Sequence, residues 1–111
     1  MTQKELKDLF DYDYKNGGLI WKVNKSTKVR KGDKFGFIES GKKPYVKGMI
    51  NYKTYREHRL VWIWHNGNCK NNLEIDHINR IHFDNRIENL REVTKLQNMR
   101  NRKNNYFKYA F

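Results

Sequence analysis

The 111-residue chain carries 24 Lys and Arg against 12 Asp and Glu, and its net charge of +12 and pI near 9.9 lie in the range of nucleic-acid binders, an excess that a neutral metabolite would not require. No apolar run approaches the roughly 20 residues that span a bilayer, and the polar start from Met1 to Asp13 has no signal-peptide core, so a soluble, intracellular, cytoplasmic protein without a membrane partner is expected. Length and a 37% apolar content predict one domain with a thin core around Trp21, Trp62 and Trp64, while a lone Cys69 excludes an internal disulfide and a Cys-rich zinc site.

Thr2 is placed to cap a helix from Gln3 to about Phe10, with Glu5 as its capping-box partner, and Asn16-Gly17-Gly18 breaks the chain after it. Gly18 to Val23 reads as a strand with Leu19 and Trp21 on one face, followed by a basic loop from Asn24 to Lys34. Strands at Phe35–Glu39, Pro44–Ile50 and Lys53–Glu57, with a turn at Ser40-Gly41-Lys42-Lys43, make an antiparallel meander in which Pro44 suits only a strand start or edge. The apolar run Leu60 to Trp64 has no clear period, but Gly67 after it favours a helix from about Glu57 to Asn66. Glu74–Ile78 reads as a strand, Asn79–Glu88 as a loop and Asn89–Val93 as a returning strand. Thr94 then caps a helix through Lys103.

That strand, loop, strand and helix carry Asp76, His77, Asn89 and Asn98 in order. A carboxylate at Asp76 and a carboxamide oxygen at Asn98 suit a magnesium-type cation, which takes few protein oxygens and keeps positions for water and phosphate. His77 then remains as a base for taking a proton from water. The amide of Asn89 both donates and accepts, which suits bridging backbone groups across the loop and fixing the strand that aims His77. Among the other histidines, His58 is expected to begin the second helix and brace the core, His65 to sit near its polar end, and His82 to lie in the loop. His77 with His82 is the alternative, zinc-type pairing.

His58-Arg59-Leu60-Val61-Trp62, Ile75-Asp76-His77-Ile78, Asn85-Arg86-Ile87-Glu88-Asn89-Leu90-Arg91 and Gln97-Asn98 together resemble the HNH endonucleases, in particular the phage and intron homing type in which the last motif histidine is asparagine. The resemblance is strong from His58 to Lys103 and weaker over Tyr12–Lys22 and the meander. It implies a ββα-metal finger after the meander in an α+β fold, residues 1–57 forming the DNA-contacting part and 58–111 the nuclease part. His77 becomes the first motif residue, Asn89 the second catalytic one and Asn98 the third, with one divalent cation and a nick or break in double-stranded DNA as product. Asparagine in place of the third histidine removes a soft nitrogen ligand, which favours magnesium or manganese over zinc.

Phosphate contacts are expected from Lys25, Lys28, Arg30, Lys31 and Lys34 on the first loop, from Arg100, Arg102 and Lys103 on the last helix, and from Arg80 and Arg86 beside the metal loop. Such contacts fix position without reading sequence. The strands from Phe35 to Glu57 are candidates for entering a groove as a ribbon. A monomer is expected, with a dimer as the route to a double-strand break. The competing reading is a basic nucleic-acid-binding module without catalysis.

Overall fold

The computed structural model describes residues 1–68 and 73–98, and these residues form an α+β fold of three small antiparallel sheets with two longer helices. Helix α1 (Gln3–Leu9) starts on the expected capping box, in which Thr2 Oγ1 accepts from the Glu5 amide and Glu5 Oε1 accepts from the Thr2 amide, both at 3.2 Å. The helix stops one residue short of the expected Phe10. Phe10 instead opens β1 (Phe10–Tyr12), which pairs antiparallel with β2 (Leu19–Trp21), Phe10 facing Trp21. A three-residue strand is too short to show a period of two beside a helix. Leu19 and Trp21 are both buried, on the face expected of them.

The basic loop ends by running along β2. Trp21 N donates to Asp33 O and Gly32 N to Trp21 O, each at 2.8 Å, and Phe35 N donates to Leu19 O at 2.9 Å. Phe35 is thereby carried into the core, while Lys25, Lys28, Arg30, Lys31 and Lys34 stay exposed. The meander follows as β3 (Phe37–Ile38), β4 (Val46–Ile50) and β5 (Lys53–Arg56), paired in that order. Its strands are shorter than expected, and Pro44 lies just before β4, where a missing donor costs nothing. A two-residue turn at Asn51 and Tyr52 joins β4 to β5, with Ile50 opposite Lys53.

Strand β5 runs directly into α2 (Glu57–Asn66), closed by Gly67 at φ +81°. Strand β6 (Leu73–His77) pairs with β7 (Leu90–Thr94), setting Asp76 opposite Arg91 and His77 opposite Leu90, and a 3-10 turn at Ile87–Asn89 leads into β7. Residues 95–98 are helical and start on a second reciprocal cap, Gln97 N to Thr94 Oγ1 at 3.0 Å and Thr94 N to Gln97 Oε1 at 2.9 Å. The expected continuation to Lys103 lies outside the described residues.

One buried cluster draws on both halves of the sequence, from Leu6, Phe10, Leu19 and Phe35 to Leu60, Val61, Ile75 and Leu90. Trp21 belongs to it, with Phe10 packed on its ring at 4.3 Å between centroids, whereas Trp62 and Trp64 are only partly buried. Beside this cluster sits a buried carboxylate. Glu57, at the start of α2, accepts from Leu19 N at 3.1 Å and from Asn85 Nδ2 at 2.9 Å. The Asn16-Gly17-Gly18 turn exists to permit this approach: a Cβ on Gly18 would stand 2.9 Å from Glu57 Oε1, and one on Gly17 would collide with the Arg86 backbone.

The loop from Ile78 to Arg86 is held from inside by Asn89. Its Oδ1 accepts from Asn79 N at 3.0 Å, and its Nδ2 donates to Asn79 Oδ1 at 2.9 Å and to Asp84 O at 2.8 Å. Removing a buried amide strands its partners, at about 1–3 kcal/mol for each group left unpaired. Asn89→Ala is therefore expected to lower unfolding free energy by about 2–4 kcal/mol, whereas exposed Asn16→Ala should stay within about 0.5 kcal/mol; urea melts showing equal losses would contradict this.

His58, next to Glu57, is 6% exposed, and burial, followed by the nearby His77, Arg59, Arg56 and His82, pushes its pKa from 6.5 down to about 3. The unfolded chain takes up this proton below pH 6.5 and the folded chain refuses it until about pH 3, so stability from this group is complete above 6.5 and is lost as pH falls. Burial raises the Glu57 pKa, which acts in the opposite sense, adding stability at low pH that is lost as pH rises. Relative to His58→Leu, the wild-type chain should lose up to about 1.4 kcal/mol per pH unit on acidification below 6.5, and parallel stability curves for the two would refute the assignment.

Candidate active site

A cavity of about 380 Å³ opens between β6, the start of α2 and the end of the meander, lined by Lys43, Tyr45, Arg56, His58, Arg59, Glu74, Ile75, Asp76, His77, Arg80, His82 and Asn98. Three of the four residues singled out in the sequence, Asp76, His77 and Asn98, meet here. Strand alternation puts Glu74 and Asp76 on one face of β6, and the helical turn after Thr94 brings Asn98 over it. Asn98 Nδ2 donates to Glu74 Oε2 at 2.7 Å, which turns the carboxamide oxygen away from Glu74. Asp76 Oδ2 accepts from Arg91 Nε at 3.2 Å and Nη2 at 3.0 Å.

The donor set fits a hard divalent cation: a carboxylate residue, Asp76, and a carboxamide residue, Asn98, line the same cavity, the small protein contribution a magnesium-type ion takes. Among the described residues no group of three or more His, Cys, Asp and Glu is positioned to hold a metal. Any cation here would complete its shell with water and substrate oxygens.

His77 is 3% exposed and its Nε2 lies 2.7 Å from Asn85 Oδ1. The orientation of the Asn85 amide follows from its other neighbour. Glu57 as a carboxylate only accepts, so the Asn85 NH2 must face it, the Asn85 oxygen must face His77, and the His77 proton must sit on Nε2. The lone pair of neutral His77 is therefore on Nδ1. Burial lowers the His77 pKa, partly opposed by the Asn85 hydrogen bond and by Asp76 and Asp84, and the ring is neutral at neutral pH. A neutral imidazole with a defined free nitrogen can accept a proton.

Asn89 does not line the cavity; it ties Asn79 and Asp84 together behind it, and Ile78 N donates to Asn89 O at 2.8 Å. His58 and His82 do line it, with ring centroids 4.8 and 5.8 Å from His77, and Tyr45 lies 4.6 Å from His82. The Nδ1 atoms of His58 and His82 are buried without a protein hydrogen-bond partner among the described residues. His65 stands apart, its Nδ1 3.0 Å from Val61 O.

Of the two arginines expected beside the metal loop, Arg80 lines the cavity and Arg86 does not. Arg86 is engaged by Asp84 through two 2.8 Å hydrogen bonds, Nε to Oδ1 and Nη2 to Oδ2, and that contact holds the Asp84 carboxyl down at about 2. Arg100, Arg102 and Lys103 lie outside the described residues. The exposed cations of the first loop do not line the cavity; Lys43, Arg56 and Arg59 do, and Arg56 stacks 4.2 Å over the Tyr45 ring. Sequence reading passed over these three, and also Glu57 and Asn85. The one local hint was a carboxylate beside His58 at the head of an apolar run.

Among the described residues no helix is long and apolar enough to cross a membrane. No curated protein and no solved structure gives a significant match. Residues 55–100 match the model of a family described as HNH endonuclease, a span that contains β6, the pinned loop, β7 and every cavity residue except Lys43 and Tyr45. Strand, loop, strand and helical turn occur in the order that a ββα finger requires. Over residues 55–100, a little under half of its length, the chain is thus similar to the HNH endonuclease family.

Proposed function

We propose that the protein is a divalent-cation-dependent DNA endonuclease of the homing type, which hydrolyses one phosphodiester of double-stranded DNA per visit and acts as a monomer. Asp76 and Asn98 are the cation ligands, His77 is the general base, and Asn89 fixes the loop that carries the site. The observation that supports this most is the meeting of Asp76, His77 and Asn98 in one cavity, with His77 held through Nε2 by Asn85. A bound magnesium or manganese ion would supply Lewis acidity to the phosphate and to the departing 3′ oxygen.

The chain's own residues account for the rest. His77 Nδ1 removes a proton from water as the water oxygen attacks phosphorus and the bond to the 3′ oxygen breaks. The Nε2 proton stays on the ring, donated to Asn85, and the charge gained is met by Asp76 and Asp84, both of which favour the charged form. Lys43, Arg56, Arg59 and Arg80 around the cavity face the phosphate, and the exposed lysines and arginines of the first loop follow the flanking backbone. Binding of this kind weakens steeply with salt.

Supercoiled plasmid incubated with magnesium or manganese should become open circular, EDTA should stop the conversion, and His77→Ala should abolish it while DNA retention stays nearly intact. A plasmid that remains supercoiled with every cation tried would favour a basic binding module instead. Asn85→Ala should lower kcat by about 10–100-fold, the usual cost of losing a group that orients a site residue, with KM for DNA little changed. Unchanged kcat, or a loss confined to KM, would remove Asn85 from the mechanism.

A further inference from the structure

The β4–β5 turn holds a tyrosine in a conformation that its side chain disfavours. Asn51 and Tyr52 have φ of +49° and +67°, as a two-residue turn of the mirror-image type requires at both positions. Asparagine tolerates that region, whereas the second position favours glycine and a bulky L-residue there is strained. The strain is not offset by packing, because Tyr52 is 97% exposed. Uncompensated strain of this sort is a marker of functional positions.

The surroundings of the tip say what the ring would meet. Lys25, from the basic loop, donates through Nζ to Asn51 Oδ1 at 2.7 Å, so a cation braces the turn, and Lys53 follows Tyr52 in the chain. An exposed aromatic side chain on a turn braced by a lysine can take an unstacked nucleobase while nearby phosphates are neutralised, as where unpaired bases are bound. From the tip, β5 leads to Arg56, a wall residue of the active-site cavity. At roughly 3.3 Å per residue the ring stands about 13 Å along the strand from Arg56, or about four base steps of 3.4 Å. We propose that Tyr52 is a stacking post that wedges against a partly unstacked base of the bound duplex, a few steps from the bond that is cut. This rests on the DNA endonuclease reading.

The test uses the full chain made inactive by His77→Ala, with Tyr52→Gly, Tyr52→Asn and Tyr52→Phe added singly. Affinity is measured by fluorescence anisotropy on a labelled duplex, and stacking by 2-aminopurine placed at successive positions. Tyr52→Gly and Tyr52→Asn should raise the melting temperature by relieving strain, yet bind DNA at least about fivefold more weakly, the lower end of what one lost base stack costs. Tyr52→Phe should bind like the parent and quench 2-aminopurine at the same position. Equal affinity for all three variants would overturn the proposal while leaving the nuclease reading intact, and absence of DNA binding by the parent would overturn both. Loss of binding to anionic vesicles, with DNA affinity unchanged, would assign the ring to a membrane surface instead.

Discussion

A buried carboxylate organises this protein. Glu57 reaches β2 through the Leu19 amide, stands at the head of α2, and grips Asn85 in the loop between β6 and β7. Three segments distant in sequence are thereby locked to one point, and the last link of the chain is His77 Nε2 at 2.7 Å from Asn85. Burying a charged carboxylate is costly unless its oxygens are satisfied, and both Glu57 oxygens accept hydrogen bonds. Loss of either partner would leave the other side of the network unpaired in a low-dielectric setting, so orientation of the imidazole and stability of the fold are coupled through the same few atoms.

Around that network the cavity sorts charge by position. Asp76 and Glu74 lie on β6, each engaged on one side, by Arg91 and Asn98 respectively. Lys43, Arg56, Arg59 and Arg80 line the same cavity. Oxygen donors and cations lining one cavity suit a substrate that brings negative oxygens to a small cation. The three clustered imidazoles of His58, His77 and His82 remain neutral because burial disfavours their charged forms. Two more protons there would repel both a cation and each other.

What could be read in the sequence was local or ordered. The Thr2–Glu5 cap, the Thr94 cap and Gly67 after the second helix are signals within a turn of the residues they act on. The order Asp76, His77, Asn89, Asn98 pointed to a strand-loop-strand-helix finger. Strand β1 escaped because three residues give no period, and the link from Glu57 to Asn85 because it spans 28 positions with no pattern to announce it. Arg86 was misleading for the opposite reason: Asp84, only two residues away, takes the Nε–Nη2 edge of its guanidinium, and it does not line the cavity. Nothing in the sequence marks Tyr52, since its positive φ comes with the two-residue turn that the pairing of Ile50 with Lys53 sets.

The proposed chemistry depends on which nitrogen of His77 carries the proton, because only the other could accept one from water. Nitrogen-15 NMR of the imidazole at neutral pH, with His77 assigned by difference against His77→Gln, reads this directly. The expected spectrum has a protonated Nε2 hydrogen-bonded to Asn85 and an unprotonated Nδ1, shifting toward a tautomer mixture in Asn85→Ala. A wild-type spectrum with the proton on Nδ1 would contradict the role given to Glu57 and Asn85.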